Sequence, residues 1–293
     1  MYRTGTATLP LHGGKAPSWL TSRMRGLARE IANIIIDEYG TAKFIARLSD
    51  PYWFQAFGCV LAYDWHSSGV TTVVTGVLKS ALTPQEHGVV VCGGKGKTSR
   101  KTPSEIQIVG EKWYFSQETI AALTYTSRMT AKVDNTAIQA GYQLYHHAFL
   151  ITKEQKWAVI QQGMSDEDRS ARRYHWLSDN TQDFVVEPHT AIACSVKRDK
   201  ALNMVAKQSE AARKASVDLA KEPTKKLMSL IQSTTKPKNQ ASIQTWLPKT
   251  NDPWIQTQTS LNLPRNINWD TLSQVYEFQP QNYEELLSIK GVG

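Results

Sequence analysis

Apolar residues recur at three- and four-residue steps early in the chain: Trp19-Leu20, Met24, Leu27, Ile31, Ile34 and Ile35 share one side of a helical period. That spacing predicts an amphipathic helix, capped by Ser18 or Thr21 and stopped by Gly40. Residues 41–62 read as more helix, interrupted at Asp50-Pro51 because proline lacks the amide a helix interior needs. Val70 to Leu82 is open between helix and buried strand, since the run TTVVTGV is β-branched. Gly88 to Cys92 reads as a short buried strand, and residues 115–129 as helix. Tyr142 to Thr152 and Lys156 to Gln162 are strand-like runs around a short polar turn, which predicts a hairpin. Phe184 to Val196 predicts one or two strands broken at Pro188. A long helix over 199–231 with a break at Pro223, a linker over 233–242 and a short helix from Tyr283 to Ile289 complete the pattern. The reading is α+β: a mixed core domain over 1–195, a basic helical arm and linker over 196–242, and a C-terminal region over 243–293.

Charge changes this picture at one place. The chain of 293 residues carries a net +8. Between Ser195 and Gln240 eleven Lys or Arg face four Asp or Glu, and no aromatic residue occurs. Such a balance favours a polyanion, either nucleic acid or an anionic membrane. No run approaches the roughly 20 apolar residues of a spanning helix, which argues against a membrane protein. The N-terminus MYRTGTATLPLHGGK lacks the apolar core of a secretory signal. Cys59, Cys92 and Cys194 are odd in number and far apart, which suits a reducing, cytoplasmic compartment.

Several polar strings are candidates for chemistry. The C-terminal YEELLSIKGVG is an amphipathic helix followed by apolar-Lys-Gly-apolar-Gly, which resembles the first half of a helix-hairpin-helix. In that module the glycines allow a tight turn, and free amides at the start of the second helix hold a phosphate. Lys290, Gly291 and Gly293 are the candidates here, and the missing second helix suggests a truncated chain. GGKGKTSRK follows a strand but is no Walker A loop: Val91 stands where the first glycine belongs, and Pro103 is expected to interrupt the helix that should follow. Its Lys95, Lys97, Arg100 and Lys101 still suit phosphate contacts, or form a solvated basic loop. His12 and Lys15 in HGGKAP suit an anion near a helix start, or mark a plain turn.

DWHSSG offers Asp64 and His66 as an acid–base pair, or His66 and Ser67 as a nucleophile pair, against a turn rich in cap residues. His146 and His147 adjoin on a strand, so only one can face a given site. Gln161 ends the partner strand. In SARRYHW, Arg172 and Arg173 suit phosphates, Tyr174 and Trp176 suit unstacked bases, and His175 lies among them. Glu187-Pro188-His189 adds an acid and an imidazole.

HGGKAPSWL, RLSDPYWFQAFGCVLAYDWHSSGVTT, GGKGKTSRKTP, WAVIQQGM and ARRYHW, in this order, resemble the family called domain of unknown function 763, found in archaea and some thermophilic bacteria. The resemblance covers essentially the whole chain and brings no assigned reaction with it. Family members continue past KGVG into the second hairpin helix, which strengthens the expectation of truncation.

The first functional expectation is a nucleic-acid-processing or DNA repair protein, a nuclease or base-excision enzyme acting on DNA or RNA. Its candidate residues are Asp64, His66, His147, Gln161, Arg173, His175 and His189, with DWHSSG, the His147 strand and ARRYHW meeting in one cleft. A metal-dependent version needs two or more carboxylates, for which Asp64, Asp134 and Glu187 are the best available. The sequence names no cofactor, metal or oligomeric state. A non-catalytic DNA/RNA-binding module and an enzyme for a phosphorylated small molecule are the alternatives. A deep pocket separates an enzyme from a shallow binding face.

Overall fold

The computed structural model describes residues 9–11, 16–63, 66–195, 201–234 and 267–292. They fall into two units, 1–210 and 211–292. The first is α+β: a five-stranded antiparallel sheet with helices against both faces.

Helix α1 (Ser18–Ser49) buries Met24, Ala28, Ala32 and Ile35 along the expected face. Ser18 lies inside its first turn rather than capping it, and Pro17 is the cap residue without a side-chain bond. Gly40 kinks the helix instead of stopping it; the helix resumes and buries Phe44, Ile45 and Leu48. Asp50 ends this run and caps α2 (Pro51–Val60), its carboxylate accepting from the Tyr52 and Trp53 amides at 2.8 and 3.0 Å. The ambiguous β-branched run is helix α3 (Ser68–Ala81). Its Val70, Thr71, Val74, Thr75, Val77 and Leu78 are buried, so packing overrides the weak intrinsic preference. A single turn, α4 (Pro84–His87), leads into strand β1 (Val89–Lys95).

The GGKGKTSRK segment begins as the end of β1 and tightens into a 3₁₀ turn over Gly96–Lys101. Helix α5 (Thr102–Lys112) follows directly. The expectation that Pro103 interrupts a helix is therefore corrected: Pro103 sits in the first turn, where a missing amide costs nothing. Helix α6 (Gln117–Lys132) widens into a π-turn over Val133–Ala137 and ends in the short strand β2 (Ile138–Gln139).

The hairpin is β3 (Gln143–Thr152) with β4 (Trp157–Ser165). SARRYHW is the next strand, β5 (Ser170–Leu177), buried along its whole length. Among its described residues, 184–195, the stretch expected to hold one or two strands has one, β6 (Ala191–Cys194). Ahead of it the Asp183 carboxylate takes the Val185 and Val186 amides at 2.5 and 2.9 Å, which turns the chain rather than extending it. The strand order is β1-β3-β4-β5-β6. Strand β7 (Leu202–Asn203) pairs with β2, so the helix expected from 199 starts only at 210.

Alternation along the strands divides the sheet. Val91, Ala148, Leu150, Ala158, Ile160 and Leu177 face the core formed with α1, α2 and α3. Cys92, Phe149, Val159 and Trp176, one residue out of step, face the other side, where α5 and α6 lie.

The second unit holds α7 (Glu210–Ala220), α8 (Thr224–Thr234), α9 (Trp269–Phe278) and α10 (Tyr283–Ser288). Val217 and Ala220 of α7 share a core with Val275 and Leu286. The segment read as a separate arm thus packs with the C-terminal helices. Among the described residues no helix is long and apolar enough to cross a membrane.

Candidate active site

Register partners near one end of the sheet form two polar rows, one on each face. His147, Gln161 and Tyr174 align across β3, β4 and β5 toward α6. His146, Gln162 and Arg173 align one step along, toward α3. Adjacent strand residues point oppositely, so the doublets His146-His147 and Gln161-Gln162 supply one member to each row.

The row facing α6 ends in a hydrogen-bonded serine–histidine pair. The Ser127 hydroxyl lies 2.9 Å from His147 Nε2. His147 Nδ1 lies 2.8 Å from Gln161 Oε1, and Gln161 Nε2 donates to Asp134 Oδ2 at 2.6 Å. The carboxylate takes only donors from the amide nitrogen, so the amide oxygen must face His147. Nδ1 then carries the imidazole hydrogen, and Nε2 offers its lone pair to Ser127 Oγ–H. This is the logic of a serine–histidine pair, with a glutamine as the orienting third group.

Asp134 anchors the chain of bonds. It sits in the π-turn after α6, and its Oδ2 also accepts from Trp176 Nε1 at 2.9 Å, while His189 Nε2 bonds Oδ1. Burial pushes its carboxyl above the usual range, with His189 pulling the other way. Burial pulls His147 down to about 4, so the imidazole is a neutral base at ordinary pH.

The pair opens into a pocket of about 370 Å³ lined by Ser127, His147, Ser99, Arg100, Pro103 and Arg128. The pocket lies between α6 and the Gly-Lys loop. That loop is fixed at its base: the Glu105 carboxylate accepts from the Gly93 amide at 2.7 Å and from Lys79 at 2.6 Å, and Lys79 also donates to the Gly93 carbonyl at 2.7 Å. Lys95, Lys97, Arg100 and Lys101 are all exposed on it.

The sequence candidates therefore divide. His147, Gln161 and His189 meet through Asp134. Arg173 and His175 face the opposite side, so the single cleft expected for all of them is two separate clusters. Through Gln162, which donates to the Ser68 carbonyl at 2.9 Å, the start of α3 joins the Arg173 cluster. His66 is exposed ahead of α3. Asp64, His12, Lys15 and Gly293 lie outside the described residues. Arg172 is buried with its guanidinium 4.3 Å from the Tyr142 ring, and Tyr174 and Trp176 are buried too, which closes SARRYHW to a duplex or a flipped base. Glu187 is exposed and pairs with Lys207 at 3.6 Å. Among the described residues no group of three or more His, Cys, Asp or Glu is placed to hold a metal. Lys290 and Gly291 are exposed in the turn after α10, Gly291 with φ of 91°.

Sequence reasoning missed Ser127 and Arg128. One signal was available: Ser127 falls four residues after Leu123 on the buried face of α6.

The model of the family described as Protein of unknown function (DUF763) matches residues 5–293. The chain belongs to this family. Neither a curated protein nor a solved structure matches it. In this DUF763 member the fold alone assigns no reaction.

Proposed function

We propose that this protein is a nucleic-acid-processing enzyme that acts on a phosphate ester held in the pocket between the Gly-Lys loop and α6. The observation that carries this reading is the Ser127–His147–Gln161 chain opening into a pocket lined by Arg100 and Arg128. His147 Nε2 takes the Ser127 proton as Oγ attacks phosphorus. The bond from phosphorus to the leaving oxygen breaks, and His147 returns the proton to that oxygen. Water, activated by the same imidazole, then cleaves the phosphoserine ester and restores the hydroxyl. Arg100 and Arg128 offset the charge that develops on the phosphoryl oxygens. Lys95, Lys97 and Lys101 take flanking phosphates, which position the chain without reading sequence. Lys290 and Gly291, as part of a helix-hairpin-helix, add a further backbone contact. Three free cysteines suit a cytoplasmic location.

A second reading, an enzyme for a phosphorylated small molecule, is favoured by the pocket's size, which suits one nucleotide-sized ligand. One experiment addresses both. The protein is incubated with DNA, RNA and mononucleotide panels, with and without Mg²⁺, Mn²⁺ or Zn²⁺, beside Ser127→Ala and His147→Gln. Cleavage or dephosphorylation lost in both variants, with binding kept and an adduct trapped on Ser127, is the expected result. Turnover only of mononucleotides selects the second reading. Binding without turnover in any arm leaves a non-catalytic module, and undiminished turnover in Ser127→Ala removes the serine from the mechanism.

A further inference from the structure

The chain of bonds behind His147 depends on one oxygen of Asp134. Burial favours the neutral acid at this carboxyl, and the proton of a neutral acid can sit on either oxygen. With the proton on Oδ1, Oδ2 remains an acceptor and Gln161 keeps its amide nitrogen toward it. With the proton on Oδ2, that oxygen donates to the Gln161 carbonyl instead. The amide then turns over, and its nitrogen donates to His147 Nδ1. The imidazole hydrogen moves to Nε2, toward Ser127, and the serine loses its base.

Two neighbours treat the two oxygens differently. His189 Nε2 bonds Oδ1, and a histidine nitrogen either donates or accepts, according to its protonation. Trp176 Nε1 bonds Oδ2 at 2.9 Å, and an indole only donates. Trp176 is fully buried on β5, its ring 4.4 Å from that of His189. Tyr174, a further titratable neighbour of the carboxyl on the same strand, is held neutral, because burial pushes its phenol above the usual range. A proton on Asp134 is therefore accommodated on the oxygen beside His189 and opposed on the oxygen beside Trp176.

We infer that Trp176 is a positioning residue for the proposed base: its indole N–H keeps Asp134 Oδ2 an acceptor and, through Gln161, keeps the hydrogen of His147 on Nδ1. The inference rests on the reading of Ser127 and His147 as a catalytic pair. It adds a division of labour, with His189 on the oxygen that can titrate and Trp176 on the oxygen that must not. Trp176 does not line the pocket, and it acts on His147 through Asp134 and Gln161 alone.

The test reads the His147 ring in the full chain labelled with nitrogen-15 histidine, at neutral pH. Nitrogen shifts separate a ring nitrogen that carries hydrogen from a bare one, and His147→Gln assigns the signal. The parent should carry its hydrogen on Nδ1. Trp176→Phe keeps an aromatic ring and removes the donor. It should give a mixture of both tautomers and lower kcat by about 10–100-fold with KM nearly unchanged. A merely structural tryptophan would cost stability and leave the shifts alone. Should Trp176→Phe fail to fold, Asp134→Asn decides the matter. Because the indole only donates, the new carboxamide must turn its oxygen to Trp176, so Gln161 stays as it is and His147 keeps its hydrogen on Nδ1. Loss of that tautomer in Asp134→Asn, or unchanged shifts in Trp176→Phe, overturns the proposal. The shifts need no substrate. The expected shifts in a protein that turns over nothing would end the enzymatic reading and leave the control of the tautomer by Trp176 standing.

Discussion

His147 is where single-residue chemistry is most exposed to test. An imidazole held at about 4 stays a competent base at any higher pH. The acid limb of kcat/KM should therefore lie near 4, with a flat profile from pH 5 to 7; an inflection near 6.5 would mean that another histidine is the base. Replacing Gln161 by Leu should cut kcat by about a hundredfold with KM nearly unchanged, since the imidazole loses its orienting acceptor. Stability has a related pH dependence. Folded His146 and His147 stay neutral down to about 3 and about 4, whereas unfolded imidazoles take protons below about 6.5. Below that pH the unfolded chain binds more protons, so stability falls as pH falls, by up to about 1.4 kcal/mol per unit for each histidine. Asp134, with its raised carboxyl, opposes part of this trend. Urea unfolding from pH 8 to 4 should show the loss, and His146→Asn should make it shallower; equal slopes would contradict the assignment. The sequence exposed the histidines and Gln161 because doublets on a strand must face both ways. It hid Ser127, a mid-helix serine whose meaning depends on a strand twenty residues away.

At the scale of elements, the junction of β1 with the Gly-Lys loop governs the pocket. Gly93 has φ of 88°, and a Cβ there would stand 2.3 Å from the His147 carbonyl and 2.4 Å from Thr102 Oγ1. Gly93→Ala should destabilise by roughly 1–3 kcal/mol or more and displace His147. Gly96→Ala meets nothing within 4 Å and should cost only backbone strain, about 1 kcal/mol. Matching melting temperatures for the two would remove the steric argument. The β3–β4 hairpin was legible because β-branched and aromatic residues flank a polar turn. Strand β5 was not, because its arginines normally mark a surface. The His175 ring nitrogen, the Thr71 hydroxyl and the Phe54 ring around its guanidinium explain how Arg173 lies inside. Likewise the β-branched residues of α3 suit helix or strand by themselves, and their packing against the sheet decides for helix.

For the whole molecule, the concentration of positive charge after residue 195 should set nonspecific affinity. Lys225 and Lys226 are exposed on α8, while Lys236 and Lys238 lie outside the described residues. Neutralising these four should weaken binding to all sequences alike and flatten the salt dependence, each lost contact removing about 0.7–0.9 from the log–log slope. An unchanged slope would place the electrostatic contact elsewhere. The charge shift was plain in the sequence; the joining of α7 with α9 and α10 was not, because it depends on contacts across a long interval. That joining has a consequence for cut chains. Val217 and Ala220 on one side of residues 235–266, and Val275 and Leu286 on the other, belong to one core. Hydrolysis of any peptide bond between 235 and 266 would therefore sever the chain without parting its pieces. The two fragments should travel as one species on a sizing column and separate only in denaturant.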